Sequence, residues 1–228
     1  AGGHVFAETL EQHQRNVAKL RSIERSQREN DNDTAAPEEA AAPTPPPAPA
    51  PRSAPVRRFC TAGRHLPAVV QLLGPNVCLT HQQFGTKLPD RGEQTSEIAF
   101  HQDDGYGRLE PPHDLTLWVA LVDTDERNGC LWIVPRSHAG GLLEHGRASA
   151  NPLLREAAVA ERAIALPMRA GEGVAFTGLT LHRSGPNHGD AARPSLFVRY
   201  CDPHVKMVSE GNRPVLEDPH SWMVAGEA

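Results

Sequence analysis

The strongest chemical signal in this sequence comes from two histidines and one aspartate. His101 and Asp103 are separated by one residue, and His182 lies far downstream. Two imidazoles and one carboxylate can occupy one face of an octahedral metal, and the open face then suits non-haem Fe(II) working with O2. Residues 96–101 predict a strand, in which side chains two residues apart point to the same side. We therefore expect His101 and Asp103 to face one metal together.

A second signal follows His182. A tight-turn sequence comes next, and Arg193 lies eleven residues after the histidine. A hairpin of this length can set His182 and Arg193 on neighbouring antiparallel strands, both facing inward. Burying an unpaired arginine costs free energy. A ligand carboxylate is a natural partner, because a guanidinium can donate two hydrogen bonds to it. The pattern predicts a small dianion near a metal.

Composition narrows the class of protein. The 228 residues fit one ordinary domain with some additional chain, and the net charge of -5 gives no sign of a nucleic-acid or membrane-surface partner. No apolar run reaches the roughly 18 residues of a membrane helix. The four cysteines are widely spaced and no secretory signal is visible. They are interpreted as free thiols in a reducing compartment, so we expect a cytoplasmic protein.

The chain divides into three parts. Residues 1–33 have a thin apolar stripe at helical spacing and predict a polar helical segment. Residues 34–58 predict a Pro/Ala-rich linker, because eight prolines fall within it and few large apolar side chains do. Residues 59–228 are the expected folded domain, in which the segment after Pro203 reads as a loop or lid.

The expected domain is rich in short strands. Helices are predicted at residues 66–73 and, inside an insertion, at 150–163. Strands are predicted at residues 77–84, 97–101, 115–122, 130–134, 164–169, 174–176 and 195–201. Many short strands without alternating helices favour a sandwich or jelly roll over a parallel sheet.

Five motifs carry a resemblance to a known family. They are Phe-His-Gln-Asp at 100–103, Leu-Trp-Val-Ala-Leu at 117–121, Asn-Gly-Cys-Leu at 128–131, Pro-Arg-Ser-His at 135–138, and His-x-Ser-Gly-Pro-Asn from 182 with the arginine at 193. In order and spacing, residues 66–202 resemble the phytanoyl-CoA dioxygenase family of Fe(II)- and 2-oxoglutarate-dependent oxygenases. One departure is Arg136, where the family commonly has glycine, and this puts the backbone geometry of a turn in doubt.

The resemblance implies a mainly β fold, a double-stranded β-helix (a jelly-roll or cupin-like barrel) with flanking helices. It implies that His101, Asp103 and His182 bind Fe(II), and that Arg193 and Ser184 hold the co-substrate 2-oxoglutarate. Lys87 and Trp118 fall where the family often has residues of the co-substrate pocket. Further candidates are Gln82 or Gln83 for that pocket, and Asp104 and Tyr106 for the substrate mouth.

The activity that the resemblance implies is hydroxylation of an unactivated C–H of a small organic substrate, with O2 consumed and succinate and CO2 released. Asp103 favours hydroxylation, because halogenating relatives lack this carboxylate. Three alternatives stay open. They are desaturation, epoxidation or cyclisation on the same scaffold, a non-catalytic metal-binding barrel, and a zinc hydrolase using the same three ligands. The oligomeric state and the substrate are not readable from the sequence.

Overall fold

The computed structural model describes residues 4–7, 53–91, 95–143, 160–208, 211–218 and 221–227. These residues form two α-helices, α1 (Ala54–Ala62) and α2 (Leu66–Leu73). The strands, in chain order, are β1 (His4–Ala7), β2 (Val77–Lys87), β3 (Ile98–His101), β4 (Leu109–Glu110), β5 (Asp114–Ala120), β6 (Leu131–Ile133), β7 (Ile164–Leu166), β8 (Gly173–Phe176), β9 (His182–Ser184), β10 (Arg193–Cys201), β11 (Lys206–Met207), β12 (Arg213–Pro214) and β13 (Trp222–Ala225).

Antiparallel pairing arranges these strands into three sheets. The major sheet has the order β1-β2-β10-β5-β8, and β13 also pairs with β2. The minor sheet has the order β3-β9-β6-β7, and a small C-terminal sheet has the order β12-β11-β4. An internal cavity is lined by side chains of both the major and the minor sheet. This architecture confirms the predicted double-stranded β-helix.

Strand β10 gives the major sheet two chemically different faces, because its side chains alternate. The apolar side chains at positions 196, 198 and 200 belong to the hydrophobic core under the helices. The side chains at positions 193, 195, 197 and 199 line the cavity instead. One strand therefore contributes to the core on one side and to the cavity on the other.

The helices cover the outer face of the major sheet. Helix α2 has Pro67 in its first turn, where the missing N–H costs nothing, and ends at Gly74 with a φ of 101°. The hydroxyl of Tyr200 donates a hydrogen bond of 2.9 Å to the carbonyl of Cys60 and lies 2.7 Å from Nε2 of His65. These polar contacts fix α1 and the following turn against β10.

The predicted helix at 66–73 and all seven predicted strands are present, with ends shifted by a few residues. The reading of the segment after Pro203 as loop or lid was wrong. Strands β11 and β12 belong to the C-terminal sheet, and β13 pairs with β2. The sequence of this segment is polar and irregular, and β11 and β12 have only two residues each, so no periodic pattern marked them. The four cysteines are free and buried, as predicted.

The N-terminal predictions need two corrections. Residues 4–7 form strand β1 and not the start of a helix, because pairing with β2 satisfies their backbone groups. Helix α1 starts inside the predicted linker, since Pro55 is compatible with a first helical turn and Val56, Phe59 and Cys60 pack on the core. The division into three parts stays a prediction. Residues 8–52 and 144–159 lie outside the described residues, and with them most of the helix predicted at 150–163. No helix in the described part of the chain is long and apolar enough to cross a membrane.

Candidate functional site

The structure brings His101, Asp103 and His182 together. His101 ends β3, and Asp103 begins a short 3-10 turn two residues later. His182 begins β9 and lies directly opposite His101 in the β3–β9 pairing. The Nε2 atoms of His101 and His182 lie 3.8 and 3.5 Å from Oδ1 of Asp103. One nitrogen or oxygen atom from each residue lies within 4.8 Å of the others, which is close enough to share one metal ion.

Backbone carbonyls fix which nitrogen of each imidazole faces the centre. Nδ1 of His101 lies 2.8 Å from the carbonyl of Ala99, and Nδ1 of His182 lies 2.9 Å from the carbonyl of Thr180. Because a carbonyl only accepts, each Nδ1 carries the proton and donates it. Both Nε2 atoms then present a lone pair to the centre, as metal-binding histidines with such a partner do.

The third member, Asp103, is held by its own partners. The hydroxyl of Thr116 on β5 donates a hydrogen bond of 2.8 Å to Oδ2, so Oδ1 is left for the centre. Burial alone would raise the pKa of Asp103, but His182, His101, Arg199 and the Thr116 hydroxyl together hold this pKa below its usual value. The carboxylate is therefore ionised at neutral pH, as a metal ligand must be.

A second charged site lies at Arg193, where β10 begins. Arg193 and Lys87 face each other directly across the β2–β10 pairing, and both line the cavity. Arg193 is 3% exposed, and its Nε and Nη1 atoms have no hydrogen-bond partner among the described residues. Its guanidinium carbon lies 5.2 Å from the centre of the Trp118 ring, which forms an aromatic wall. Burial lowers the pKa of Arg193 to about 10, and the group still carries its charge at neutral pH.

Lys87 is the second cation of this site and is only 1% exposed. Its ammonium group donates to the carbonyl of Ser96 and, over 3.2 Å, to the carbonyl of Ser184. Burial, followed by the nearby charge of Arg193, lowers the pKa of Lys87 to about 7. No buried carboxylate of the described residues lies beside Arg193 and Lys87, so this end of the cavity has a positive potential that an anionic ligand would neutralise.

The remaining candidates divide between cavity and scaffold. Ser184 is buried on β9 and lines the cavity next to Lys87, and Trp118 and Gln83 line it as well. Gln82 does not belong to the described lining. Tyr106 stands at the mouth, with 69% of its surface exposed and its ring centre 5.6 Å from that of His101.

Asp104 does not line the mouth, in contrast to the prediction. It is buried and forms an ion pair with Arg199 on β10, which also binds Asp114 over 2.7 Å. Burial and the charge of Asp114 raise the pKa of Asp104 to about 6, against the opposing effect of Arg199. Arg199 was not predicted as a site residue. The available signal was its position six residues after Arg193, which gives both side chains the same face of one strand.

Arg136 stands where the family commonly has glycine, and the backbone of its turn has the unusual geometry that this difference suggested. Arg136 has a φ of 65° and lies in the left-handed region, which glycine adopts without strain. The next residue, Ser137, accepts a hydrogen bond of 2.8 Å from the backbone N–H of Leu181, immediately before His182. The turn therefore supports the strand that carries a site residue, even though its conformation disfavours arginine.

The cavity joins these two sites. Its volume is about 660 Å³, and it extends from Arg193 and Lys87 past the His101–Asp103–His182 cluster to the C-terminal sheet. The far wall is mostly apolar or aromatic and includes Tyr106, Leu109, Phe197, Met207 and His81. A volume in this range is typical of small-molecule sites.

Solved structures with a similar fold are described as non-heme enzymes. The apo structure of the non-heme monooxygenase ThoJ aligns with a TM-score of 0.60 and 27% identity, over 75% of this chain and 61% of that one. The epimerase SnoN from nogalamycin biosynthesis, described as non-heme and alpha-ketoglutarate dependent, aligns with a TM-score of 0.56 and 26% identity, over 72% of this chain and 60% of that one.

Sequence comparison agrees with the structural likeness. Peroxisomal phytanoyl-CoA dioxygenase of Bos taurus is 29% identical over 153 residues, which cover 64% of this chain and 45% of that protein. The chain thus spans about half the length of the curated relatives that it matches. The family model of phytanoyl-CoA dioxygenase (PhyH) matches residues 4–195, including the N-terminal part that the sequence motifs left out. The chain therefore belongs to the phytanoyl-CoA dioxygenase family.

Proposed function

We propose that this protein is an Fe(II)- and 2-oxoglutarate-dependent oxygenase that hydroxylates an unactivated C–H of a small organic substrate and releases succinate and CO2. The observation that carries the proposal is the pairing of two sites in one cavity. Three metal-type ligands converge at one point, and a buried guanidinium with unpartnered N–H groups lies further along the same cavity.

The donor set fits a catalytic iron. Two imidazole nitrogens and one carboxylate oxygen leave positions for a co-substrate and O2, and this combination is typical of non-haem Fe(II) oxygenases. The hydrogen bonds from each Nδ1 and to Oδ2 of Asp103 orient all three donors before any metal binds. His101, Asp103 and His182 would therefore hold the ion without reorganising their own strands.

The second site fits the co-substrate. 2-Oxoglutarate is a dianion, and its far carboxylate can accept the unpartnered N–H groups of Arg193 in a two-pronged contact. Lys87 adds a second positive charge, while Trp118 and Ser184 bound the same end of the cavity. The ligand would relieve the cost of burying Arg193, because it supplies the missing counter-charge.

The chain's own residues perform three tasks in this proposal. Together, iron and 2-oxoglutarate supply the O2-dependent oxidation when they are bound. Arg193 and Lys87 hold the co-substrate in one orientation, and the two histidines with Asp103 hold the metal beside it. Buried apolar walls keep water from the reacting C–H.

We place the primary substrate against the far wall of the cavity, near Tyr106, Leu109, Phe197 and Met207. Arg199 also lines this part, but its charge is already paired with the carboxylates of Asp104 and Asp114. A charged substrate group would therefore find no free charged partner among the described lining residues there. This favours a mostly apolar, uncharged substrate moiety.

Free buried thiols and a net charge of -5 are consistent with a cytoplasmic enzyme without a nucleic-acid partner.

An anaerobic titration tests the proposal. Fe(II) is added to the protein with and without 2-oxoglutarate, and the visible spectrum is recorded. A charge-transfer band that needs both components supports chelation of iron by the keto acid. Metal binding without such a band favours the zinc hydrolase or the non-catalytic barrel. Succinate released on admission of air, with a candidate substrate present, then tests turnover.

The same scaffold can also direct a different oxidative outcome. The similar structure SnoN is described as an epimerase, which keeps non-hydroxylating reactions open as the second candidate. The position of the substrate C–H relative to the metal decides between these outcomes. Mass spectrometry of the product separates them, because hydroxylation adds 16 mass units, desaturation removes two and epimerisation leaves the mass unchanged.

A further inference from the structure

A buried cluster of charged side chains lies directly behind the proposed metal site. Arg199 on β10 donates from Nε to Asp114 over 2.7 Å and from Nη2 to Asp104. Its Nη1 donates to the carbonyl of Gly107 over 3.0 Å. The guanidinium therefore binds the start of β5, the turn that follows Asp103 and the segment that leads to β4.

The same cluster reaches the segment that precedes His182. The backbone N–H of Asp104 donates to the carbonyl of Gly178 over 3.1 Å, and the N–H of Gly178 donates to Oδ1 of Asp114 over 3.3 Å. Gly178 lies in the turn whose Thr180 carbonyl orients the His182 ring. Asp104, Asp114 and Arg199 thus connect the turn that bears Asp103 with the turn that orients His182.

Close packing at Gly178 makes this connection specific. A Cβ at position 178 would lie 2.6 Å from Oδ1 of Asp104 and 2.8 Å from both Nη2 of Arg199 and Oδ2 of Asp114. Such distances are too short for any side chain, so alanine there would push the charged groups apart.

A second connection runs through Thr116. Arg199 lies opposite Thr116 in the β5–β10 pairing, and the hydroxyl of Thr116 donates to Oδ2 of Asp103.

We propose that Arg199 is a positioning residue for the metal site. It fixes the turn after Asp103 against the turn before His182, so that the three ligands meet at one point. Without Arg199, the buried carboxylates of Asp104 and Asp114 would repel each other, and no water could take the place of the missing cation. The two turns would then lose their fixed relative position. This inference rests on the proposed function, since it assumes that His101, Asp103 and His182 bind a metal.

Co(II) titration of the full chain under anaerobic conditions tests the proposal, because Co(II) replaces iron and its visible spectrum reports ligand geometry. Arg199→Met removes the charge. Arg199→Lys keeps the charge but lacks the planar guanidinium. Gly178→Ala displaces the cluster without removing any charge. We expect Co(II) to bind about 10–100-fold more weakly to Arg199→Met and Gly178→Ala, with an altered spectrum. Arg199→Lys should recover part of the affinity.

Arg108→Met is the matched control, because Arg108 forms an exposed ion pair with Glu110 over 2.7 Å. It should leave Co(II) affinity and spectrum unchanged. A purely structural role would lower the melting temperature of the metal-free variants and leave the spectrum of their folded fraction as in the wild type. If folded Gly178→Ala or Arg199→Lys binds Co(II) within twofold of wild type with the same spectrum, the proposal is overturned, whatever happens to Arg199→Met. A wild-type protein that binds no Co(II) would instead refute the metal site itself.

Discussion

Replacement of Arg193 by methionine separates function from stability more sharply than any other change in the cavity. Arg193 is 3% exposed, and two of its nitrogens have no partner among the described residues. Its burial is therefore unfavourable in the ligand-free protein and becomes favourable when an anion binds. Methionine has a similar length and carries no charge, so Arg193→Met removes both effects.

The magnitudes follow from the energetics of buried charge. Leaving one member of a buried charge pair alone costs roughly 3–5 kcal/mol, which corresponds to a loss of about 10²–10³-fold or more in affinity. We therefore expect Arg193→Met to weaken 2-oxoglutarate binding by at least about 100-fold. The ligand-free variant should gain stability by about 1–4 kcal/mol, the range found when well-packed apolar side chains replace buried ion pairs.

Two measurements check this prediction. Anaerobic titration of the Fe(II)-loaded protein with 2-oxoglutarate gives the affinity, and urea unfolding of the ligand-free protein gives the free energy of unfolding. Arg169→Met is the control, because Arg169 is exposed and lies outside the described cavity lining. An Arg193→Met variant that binds 2-oxoglutarate within threefold of wild type would refute the assignment of Arg193. A loss of stability in the ligand-free variant would refute the view that its charge is uncompensated.

The remaining predictions concern Lys87, His182 and Arg136. The pKa of Lys87 is about 7 in the folded protein, below its unfolded value, so its charged form opposes folding at low pH and the cost is removed as pH rises. Ligand-free wild type should therefore gain about 2 kcal/mol relative to Lys87→Met between pH 7 and 9, measured by urea unfolding; parallel pH profiles would contradict this. His182→Ala should abolish succinate formation and tight Co(II) binding, whereas His188→Ala at an exposed position should change neither; near-wild-type turnover in His182→Ala would remove it from the metal site. Arg136→Gly should raise the free energy of unfolding by about 0.5–1 kcal/mol, because glycine adopts the left-handed φ of 65° without strain. Arg136→Ala keeps a Cβ and should give no such gain. Thermal unfolding of both variants measures the difference.

Local features of the sequence were sufficient for much of the fold. The predicted helix at 66–73 and the long strands β2, β5 and β10 were found because several apolar residues repeat at a fixed spacing. The predicted pairing of the strands that carry His182 and Arg193 was wrong. His182 begins β9 in the minor sheet and Arg193 begins β10 in the major sheet, so the two strands are not neighbours, although both side chains line the cavity. Strand β1 was read as helix, since its conformation depends on pairing with β2 and not on its own propensities.

Residue type and spacing, by themselves, determined which groups could form the site. The His-x-Asp pair, the downstream histidine and the arginine after the turn can be recognised from residue type and from the alternation of side chains along a strand. Tertiary structure decided which charges meet. Lys87 faces Arg193 because of the register of β2 and β10, and Arg199 reaches Asp114 because of the register of β5 and β10. The turn after β3 brings Asp104 to the same guanidinium. Register is fixed by pairing between distant segments, and for this reason the partners of buried charges cannot be read along one strand.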